Sequence, residues 1–470
     1  VEGVSNIRVH QQSTLVMTGG KLDSRGVIDI HTGASVTLNG VTVNDVICIC
    51  NAASVNGHDN IFTGTELYRL NGGFVGSTAN LLNSIGSAAE GAYISVYNLG
   101  TCTLAADTEG KLSGGYRSYS NVEVQSGATV TLEEGVCLTM QDNHALSVYG
   151  SLVAEFEEED IAIAGTGASA ELLIRDNGQV QLQNASVEGV SNIRVHQQST
   201  LVMTGGKLDS RGVIDIHTGA TVTLTGVTVK DMIQAHGTLT LQDCRIDANE
   251  VLVYEGGAST IQNTSGIGKL TVYVSSAAQV ITGNDFSGTT VELLDLEAGE
   301  VIDLSGNYWG TADINEIIAK ISGYNAEQVV LNDWLVGMPE DDFEAMKLVG
   351  DTLASAGTRS MTVRFTHELE ESSIAGNVYL ENLMGDRVEI TSWSQQNGDL
   401  TLNFDALPAD GLYYVVLGAG LTNVYGKSLT VKEGNADCRF EFSADIVAES
   451  VESIRLPQSD APGYFDIMLS

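Results

Sequence analysis

The sequence has little positive charge and no long apolar run. It carries 22 lysines and arginines against 60 aspartates and glutamates, for a formal net charge of -38. Such a charge would repel nucleic-acid phosphates and anionic lipid surfaces. A membrane-spanning helix needs a run of about 20 apolar residues, and none is present. We therefore expect no nucleic-acid partner and no membrane insertion in this segment.

Proline and cysteine are also scarce. The chain has four prolines, the first at Pro339. Proline removes a backbone donor that a strand ladder needs, so its absence before this point favours continuous strand pairing. The six cysteines have neither the density of a disulfide scaffold nor a CxxC metal spacing. We expect unpaired thiols, with Cys48 and Cys50 both pointing outward.

An internal duplication is the strongest signal in these 470 residues. Residues 1–45 recur at 187–231 with three changes, Ser35 to Thr221, Asn39 to Thr225 and Asn44 to Lys230. Within each copy a shorter period of about 21 residues places Ile7 over Ile28 and Val9 over Ile30 in the sequence. A period of this length is typical of a repeat architecture.

Short runs inside that period alternate apolar and polar residues, as in Val27-Ile28-Asp29-Ile30-His31. This alternation indicates strands, and a strand that meets its equivalent one coil later must pair in parallel at about 4.8 Å per coil. We predict an all-β fold, a parallel β-helix of roughly 16 coils over residues 1–338. The pattern is less regular between about 54 and 120.

The end of this region, Ser305-Gly306-Asn307-Tyr308-Trp309-Gly310-Thr311, resembles the right-handed parallel β-helix regions of large bacterial exoproteins and adhesin-like surface proteins. The resemblance implies a right-handed winding and a short closing segment. Asp313 can cap a helix near 314–321, which would cover the open end of the solenoid. Its apolar stripe would consist of Ile314, Ile317, Ile318 and Ile321.

After Pro339 the strands alternate with ordinary turns, and Asn397-Gly398 is typical of a hairpin. The segments 364–369 and 422–429 resemble bacterial Ig-like domains of surface-layer and secreted proteins. We therefore predict an Ig-like β-sandwich over residues 339–445. Residues 446–470 have too little pattern to assign and are a candidate start of a further domain.

The sequence contains no recognisable catalytic, cofactor-binding or metal-binding set. The 21-residue register instead predicts an outward ladder in each copy, which is either a metal-binding or sugar-binding surface or a row of solvated side chains with weak cross-strand attraction. Its members are Arg8, His10, Asp29 and His31 in the first copy, and Arg194, His196, Asp215 and His217 in the second. Glu155 and the acidic run 157–160 could together bind calcium, but the missing calcium-repeat motif favours a solvated acidic loop.

These features favour a non-catalytic secreted or cell-surface protein with a structural or adhesive role. It would be a monomer within a longer chain that binds a host or environmental glycan or protein. The alternative is a carbohydrate-active β-helix enzyme, a polysaccharide lyase or glycoside hydrolase, or a catalytically dead carbohydrate-binding relative. The aromatic cluster Tyr93, Tyr97, Tyr116 and Tyr119 favours that alternative.

Overall fold

The structure is a computed structural model that contains two compact units. It describes residues 1–445 except 25, 275–277, 298, 312, 326–327, 333, 336–342, 350–352, 356–357, 397, 406, 408–409 and 432–436. The first unit comprises Val1–Asn307 and Asp313–Asn332, and the second comprises Tyr308–Ala312 and the later residues. The predicted boundary at 338/339 and the unassigned segment 446–470 lie outside the described residues.

The first unit is a parallel β-solenoid of about 14 turns with coils of about 21 residues. The predicted register is confirmed, because Ile7 pairs with Ile28 and Val9 with Ile30. The turn number is below the predicted 16, since several coils are longer than the repeat. Leu152, for instance, pairs with Val180.

One face, which we call face A, runs through most of the solenoid. Its strands are Ile7–Val9, Val27–Ile30, Val46–Cys50, Glu66–Asn71, Tyr93–Val96, Gly115–Ser118, Leu138–Met140, the end of Ser151–Gly165, the end of Gln179–Glu188, Lys207–Asp209, Thr228–Val229 and Arg245–Ile246.

Two further faces complete the first coils. Face B consists of Thr14–Thr18, Ser35–Asn39 and Ser54–His58, and face C of Lys21–Leu22, Thr42–Val43, Asn60–Phe62 and Ile85–Ser87. The helix Ala79–Ser84 packs against strand Ser54–His58 of face B and buries Leu81 and Leu82. The strand Phe74–Ser77 comes just before this helix and pairs with the strand Asn98–Leu104.

Two new faces, D and E, replace B and C in the later coils. Face D consists of the start of Asn98–Leu104, then Val122–Val124, Ala145–Val148, Glu171–Ile174, Asn192–Val195, Val213–Ile216, Met232–Ala235, Glu250–Val253, Lys269–Tyr273, Thr290–Leu294 and Ile321–Ser322. Face E consists of the end of Asn98–Leu104, then Thr129–Leu132, the starts of Ser151–Gly165 and Gln179–Glu188, Thr200–Thr204, Thr221–Thr225, Thr238–Gln242, Ala258–Gln262 and Gln279–Thr282.

The two duplicated units therefore lie on different faces. Strand Ile7–Val9 belongs to face A, whereas its duplicate Asn192–Val195 belongs to face D. Face A receives instead the strand Lys207–Asp209, whose first-copy equivalent Lys21–Leu22 lies on face C. The cause is the change from faces B and C to faces D and E, which shifts the second copy by one face.

Inward side chains of successive coils form the core. Ile28, Ile30, Ile214 and Ile216 are all fully buried. Removing such a side chain from water contributes about 1.5–3 kcal/mol. Their outward neighbours alternate with them, as the two-residue period of a strand requires.

The helix near the end of the solenoid is shorter than predicted. It spans Ile314–Ala319, and the Asp313 side chain accepts a hydrogen bond from the Asn315 backbone N–H at 2.8 Å. Ile321 lies beyond the helix because it pairs with Val291 on face D. The predicted four-isoleucine stripe is wrong, since Ile314 and Ile318 are exposed and only the other two are buried. The short strands Ile302–Asp303 and Val329–Val330 pair in parallel.

The second unit contains two sheets that share one hydrophobic core. The antiparallel sheet consists of Ala345–Val349, Ser360–Phe365, Asp399–Phe404 and Ile390–Gln396, in that order. The mixed sheet consists of Leu353–Ser355, Asp437–Asp445, Gly411–Gly418, Val378–Asn382 and Arg387–Val388, with a parallel first pair. A short helix spans Glu371–Ile374. Strands Ile390–Gln396 and Asp399–Phe404 form the predicted hairpin, although residue 397 lies outside the described residues.

Among the residues that the structure describes, no helix has the length and apolar character needed to cross a membrane.

Candidate functional site on face D

The predicted first-copy ladder lies on face A. Arg8 pairs with Asp29, and Arg8 Nε lies 3.7 Å from Asp29 Oδ2. The rings of His10 and His31 stack with centroids 5.5 Å apart. These residues occupy the first two coils only, since Cys48 and Cys50 follow on the next strand.

The burial of Cys48 differs from what its predicted outward direction suggests. It is in register with outward Asp29 and Arg69, yet it is 8% exposed, because the Arg69 strand lies directly over it. This burial raises the pKa of the Cys48 thiol to about 12. All six cysteines are free. Cys48 is therefore a poorly accessible thiol, and Cys50 is the more exposed member of the pair.

The second-copy ladder lies on face D and forms part of a longer surface. Arg194 pairs with Asp215 in the register, but its guanidinium lies 3.3 Å from the carboxylate of Glu171 in the preceding coil. Asp215 Oδ2 lies 3.3 Å from His217 Nε2. Farther along, Lys269 bridges two coils, with distances of 3.4 Å to Glu250 and 2.7 Å to Glu292.

Beside these charged and polar contacts runs a row of imidazole and phenol rings that we call the ring stripe. Each ring directly follows the last inward residue of a face D strand. The register places these rings on five successive coils. Its members are His196, His217, His236, Tyr254 and Tyr273. Centroid distances are 4.5 Å for the first two rings, 3.9 Å for His236 with Tyr254, and 5.6 Å for Tyr254 with Tyr273.

The ring stripe changes the titration of its first member. Burial lowers the pKa of His196 below its usual value, and the neighbouring His217, Arg175 and Arg194 lower it further. The neutral imidazole is thus the favoured form in the folded chain. Across the residues described, no three histidine, cysteine, aspartate or glutamate side chains are grouped so that they could hold a metal ion.

A groove of about 430 Å³ lies at the other end of face D, where this face begins. It crosses four coils, because Asn98, Glu123, Ser147 and Leu173 follow one another in the register. Among the described residues, eight polar or aromatic side chains line it, namely Asn71, Tyr97, Asn98, Asn121, Glu123, Ser147, Tyr149 and Arg175. We call this the face D groove. Tyr149 and Arg175 continue the line of the ring stripe toward the start of the chain.

The predicted tyrosine cluster is only partly on the surface. Tyr116 points inward and is 3% exposed, and its hydroxyl donates a hydrogen bond to the Ala105 carbonyl at 2.7 Å. Tyr93 and Tyr119 contact each other on the outer surface at 5.6 Å, whereas Tyr97 lines the groove. The alternation of inward and outward side chains separates Tyr116 from the others.

The acidic run 157–160 lies at the corner between faces E and A, inside the strand Ser151–Gly165, and its side chains are exposed. Glu134 Oε1 accepts hydrogen bonds from the backbone N–H groups of Glu157 and Glu158, each at 3.2 Å. A carboxylate from the previous coil thus holds this corner in place.

Sequence reasoning missed most of face D. His236, Tyr254 and Tyr273 follow the same inward positions as His196 and His217, so continuing the register by 18 to 21 residues per coil would have found them. Tyr149 and Arg175 also follow the last inward residue of their strands, but 26 residues separate them, so the regular spacing does not predict Tyr149. The groove had no such signal, because its walls come from coils of unequal length.

No family model and no curated protein matches this chain. A structural alignment pairs it with the solved chitinase ChiW from Paenibacillus sp. str. FPU-7, whose description is a bacterial cell-surface-expressed multi-modular enzyme. The alignment has 12% identity and a TM-score of 0.15, and it covers 93% of this chain and 24% of that one. This chain thus spans about a quarter of the length of the solved chain. At that TM-score the alignment carries no argument about fold or function.

Proposed function

We propose that this chain is a non-catalytic, extracellular adhesive or structural protein in which face D is the binding surface. The observation that carries the proposal is the regular repetition of outward side chains on that face. Rings lie on five successive coils in two contacting groups, and ion pairs link neighbouring coils beside them. Such a surface extends along the solenoid, so it suits the binding of an extended ligand better than catalysis at a single site.

The solenoid would be a right-handed β-helix stalk like those of adhesin-like exoproteins. A solenoid contacts only its neighbouring repeats, so it can lengthen by duplication and present an extended surface. The near-identical residues 1–45 and 187–231 support such a history. The excess of acidic side chains would keep an extracellular protein soluble and disfavour binding to polyanions.

The second unit would be an Ig-like spacer or binding module. Its two sheets share a core that includes Val363, Leu402, Leu380 and Val415, which come from both sheets. Sheet-on-sheet packing of this kind is the general architecture of Ig-like domains. The parallel pairing of Leu353–Ser355 with the last strand gives one sheet a mixed character.

A glycoside hydrolase would need two carboxylates that flank the scissile bond. Within the described part of the chain, Glu123 is the one carboxylate that lines the face D groove. This supports a binding role for the groove rather than hydrolysis.

The experiment is a retention assay of the complete chain on a panel of insoluble polysaccharides and immobilised extracellular proteins, with reducing and unsaturated sugar ends measured in parallel. We expect saturable retention on at least one surface without release of sugar ends. Release of sugar ends in proportion to protein concentration would overturn the non-catalytic assignment. Absence of retention on every surface would overturn the adhesive one.

A further inference from the structure

The face D groove contains polar atoms that the fold leaves without partners. Asn98 Oδ1 and Arg175 Nε are both buried from water and have no hydrogen-bond partner among the residues that the structure describes. Such atoms are rare in folded proteins, because each one forfeits hydrogen bonds that it could make in water. Both belong to residues that line the same groove, which indicates that a bound molecule completes their hydrogen bonding.

The other walls specify what kind of molecule fits. Tyr97 and Tyr149 supply aromatic rings, and the nearly buried Leu173 adds an apolar surface. Asn98 and Asn121 supply amides, which both donate and accept hydrogen bonds. The groove volume lies within the range of about 300–1,000 Å³ that is typical of small-molecule sites. A ligand for these walls needs apolar C–H faces and many hydroxyl groups.

We propose that the face D groove binds a neutral oligosaccharide segment. A pyranose presents C–H groups to the tyrosine rings and hydroxyl groups to the amides, to Asn98 Oδ1 and to Arg175 Nε. The four face D coils of the groove, from Asn98 to Leu173, span roughly 14 Å along the axis, at about 4.8 Å per coil, so several sugar units fit end to end. This inference rests on the proposed binding role of face D and names its ligand class.

Charge and hydrogen bonding disfavour other ligand classes. Among the described residues, the groove is lined by one carboxylate, Glu123, and one guanidinium, Arg175, and the chain as a whole is strongly acidic. An acidic glycan or a phosphate would therefore meet repulsion. A peptide that adds as a strand needs an open sheet edge. The groove strand Val122–Val124 instead pairs with the coil on each side.

The test uses isothermal titration of the complete chain with cellohexaose, xylohexaose and mannohexaose as neutral probes and hexagalacturonate as the acidic one. Tyr149→Ala and Asn98→Ala alter the groove, Tyr149→Phe keeps the ring, and Tyr414→Ala in the second unit is the matched control. We expect at least one neutral probe to bind. Each groove alanine should weaken its Kd about tenfold or more, the effect of one lost interaction of about 1.4 kcal/mol. Tyr149→Phe should retain most of the affinity, and the control all of it.

Three outcomes would overturn the inference: no binding of any neutral probe, binding of hexagalacturonate alone, or neutral binding that both groove alanines leave unchanged. Melting curves of each variant would show that a loss of affinity is not a loss of fold. If the chain is retained on an immobilised surface while the groove variants are retained equally well, the groove inference fails and the adhesive proposal stands. If retention is absent everywhere, both fail.

Discussion

Arg194 and Asp215 face each other on neighbouring coils of face D, yet each has its nearest polar contact with a different residue. Arg194 contacts Glu171 at 3.3 Å, and Asp215 contacts His217 at the same distance. These side chains are all partly exposed, so each pair contributes less than about 1 kcal/mol to stability. Substitutions of these charged side chains should therefore cost less stability than substitutions in the apolar core beneath face D.

The first prediction compares the surface with the core in both copies. Asp29→Ala and Asp215→Ala should each change the free energy of unfolding by less than about 1 kcal/mol, because their contacts with Arg8 and His217 are partly exposed. Ile30→Asp and Ile216→Asp should each cost several kcal/mol, since they put a carboxylate into a fully buried position. Denaturant unfolding of the four variants checks this. Equal damage from both classes would show that inward and outward positions are misassigned.

The second prediction uses identical residues in unlike positions. Leu15 lies in the first coil and is half-buried, whereas its duplicate Leu201 is fully buried beneath Val180 of the preceding coil. In this 470-residue chain, Leu201→Ala should lower the free energy of unfolding by about 2–5 kcal/mol, the usual cost of truncating a buried leucine. Leu15→Ala should cost clearly less. Similar losses for both would contradict the coil order.

The third prediction concerns pH. Burial depresses the pKa of His196 below 6.5, so the folded chain resists a proton that the unfolded chain accepts. The free energy of unfolding should therefore fall as the pH drops from 6.5 toward the pKa of His196 in the folded chain. His196→Gln should reduce this loss. Histidine titration by NMR, with melting at about pH 7.5 and 5.5, measures both effects. A titration midpoint above 6.5 for His196 would refute the prediction.

The fourth prediction concerns Asp231, whose Oδ2 accepts a hydrogen bond from the Ser210 backbone N–H at 2.6 Å. Burial raises the pKa of this carboxyl above 3.8, so its ionised form destabilises the fold as the pH rises through the folded pKa. Asp231→Asn keeps an acceptor without the charge and should raise Tm at pH 7 more than at pH 4.

Asp231→Ala is the matched control for that experiment. It leaves the Ser210 N–H without its partner, which should cost about 1–3 kcal/mol. Scanning calorimetry of both variants distinguishes the charge from the hydrogen bond. If the asparagine variant were as unstable as the alanine variant at pH 7, the carboxyl would be stabilising the fold as an anion.

The sequence predicted the 21-residue repeat but not the face of the solenoid on which each strand of the second copy lies. Alternation of apolar and polar residues, together with the 21-residue spacing, placed Ile7 over Ile28 and Arg8 over Asp29, because the chemistry of a strand is local. The shift of the second copy from face A to face D follows the irregular coil in which helix Ala79–Ser84 packs on face B. That packing is a tertiary event without a periodic signal.

The candidate site was predicted in part for the same reason. His196 and His217 followed from the register, whereas the face D groove depends on Tyr97, Tyr149 and Arg175 coming together from three separate coils of unequal length. Cys48 shows a related limit, because alternation gives the direction of a side chain but not whether the next coil covers it.

Hydroxyl-radical footprinting of the complete chain, with and without the tightest-binding neutral hexasaccharide, tests most directly whether face D is the binding surface. His10 and His31 share their sequence surroundings with His196 and His217 but lie on face A, so they serve as an internal control. The account predicts ligand-dependent protection of Tyr149, His196 and His217, with His10 and His31 unchanged. Equal protection of both histidine pairs, or no protection on face D, would contradict it.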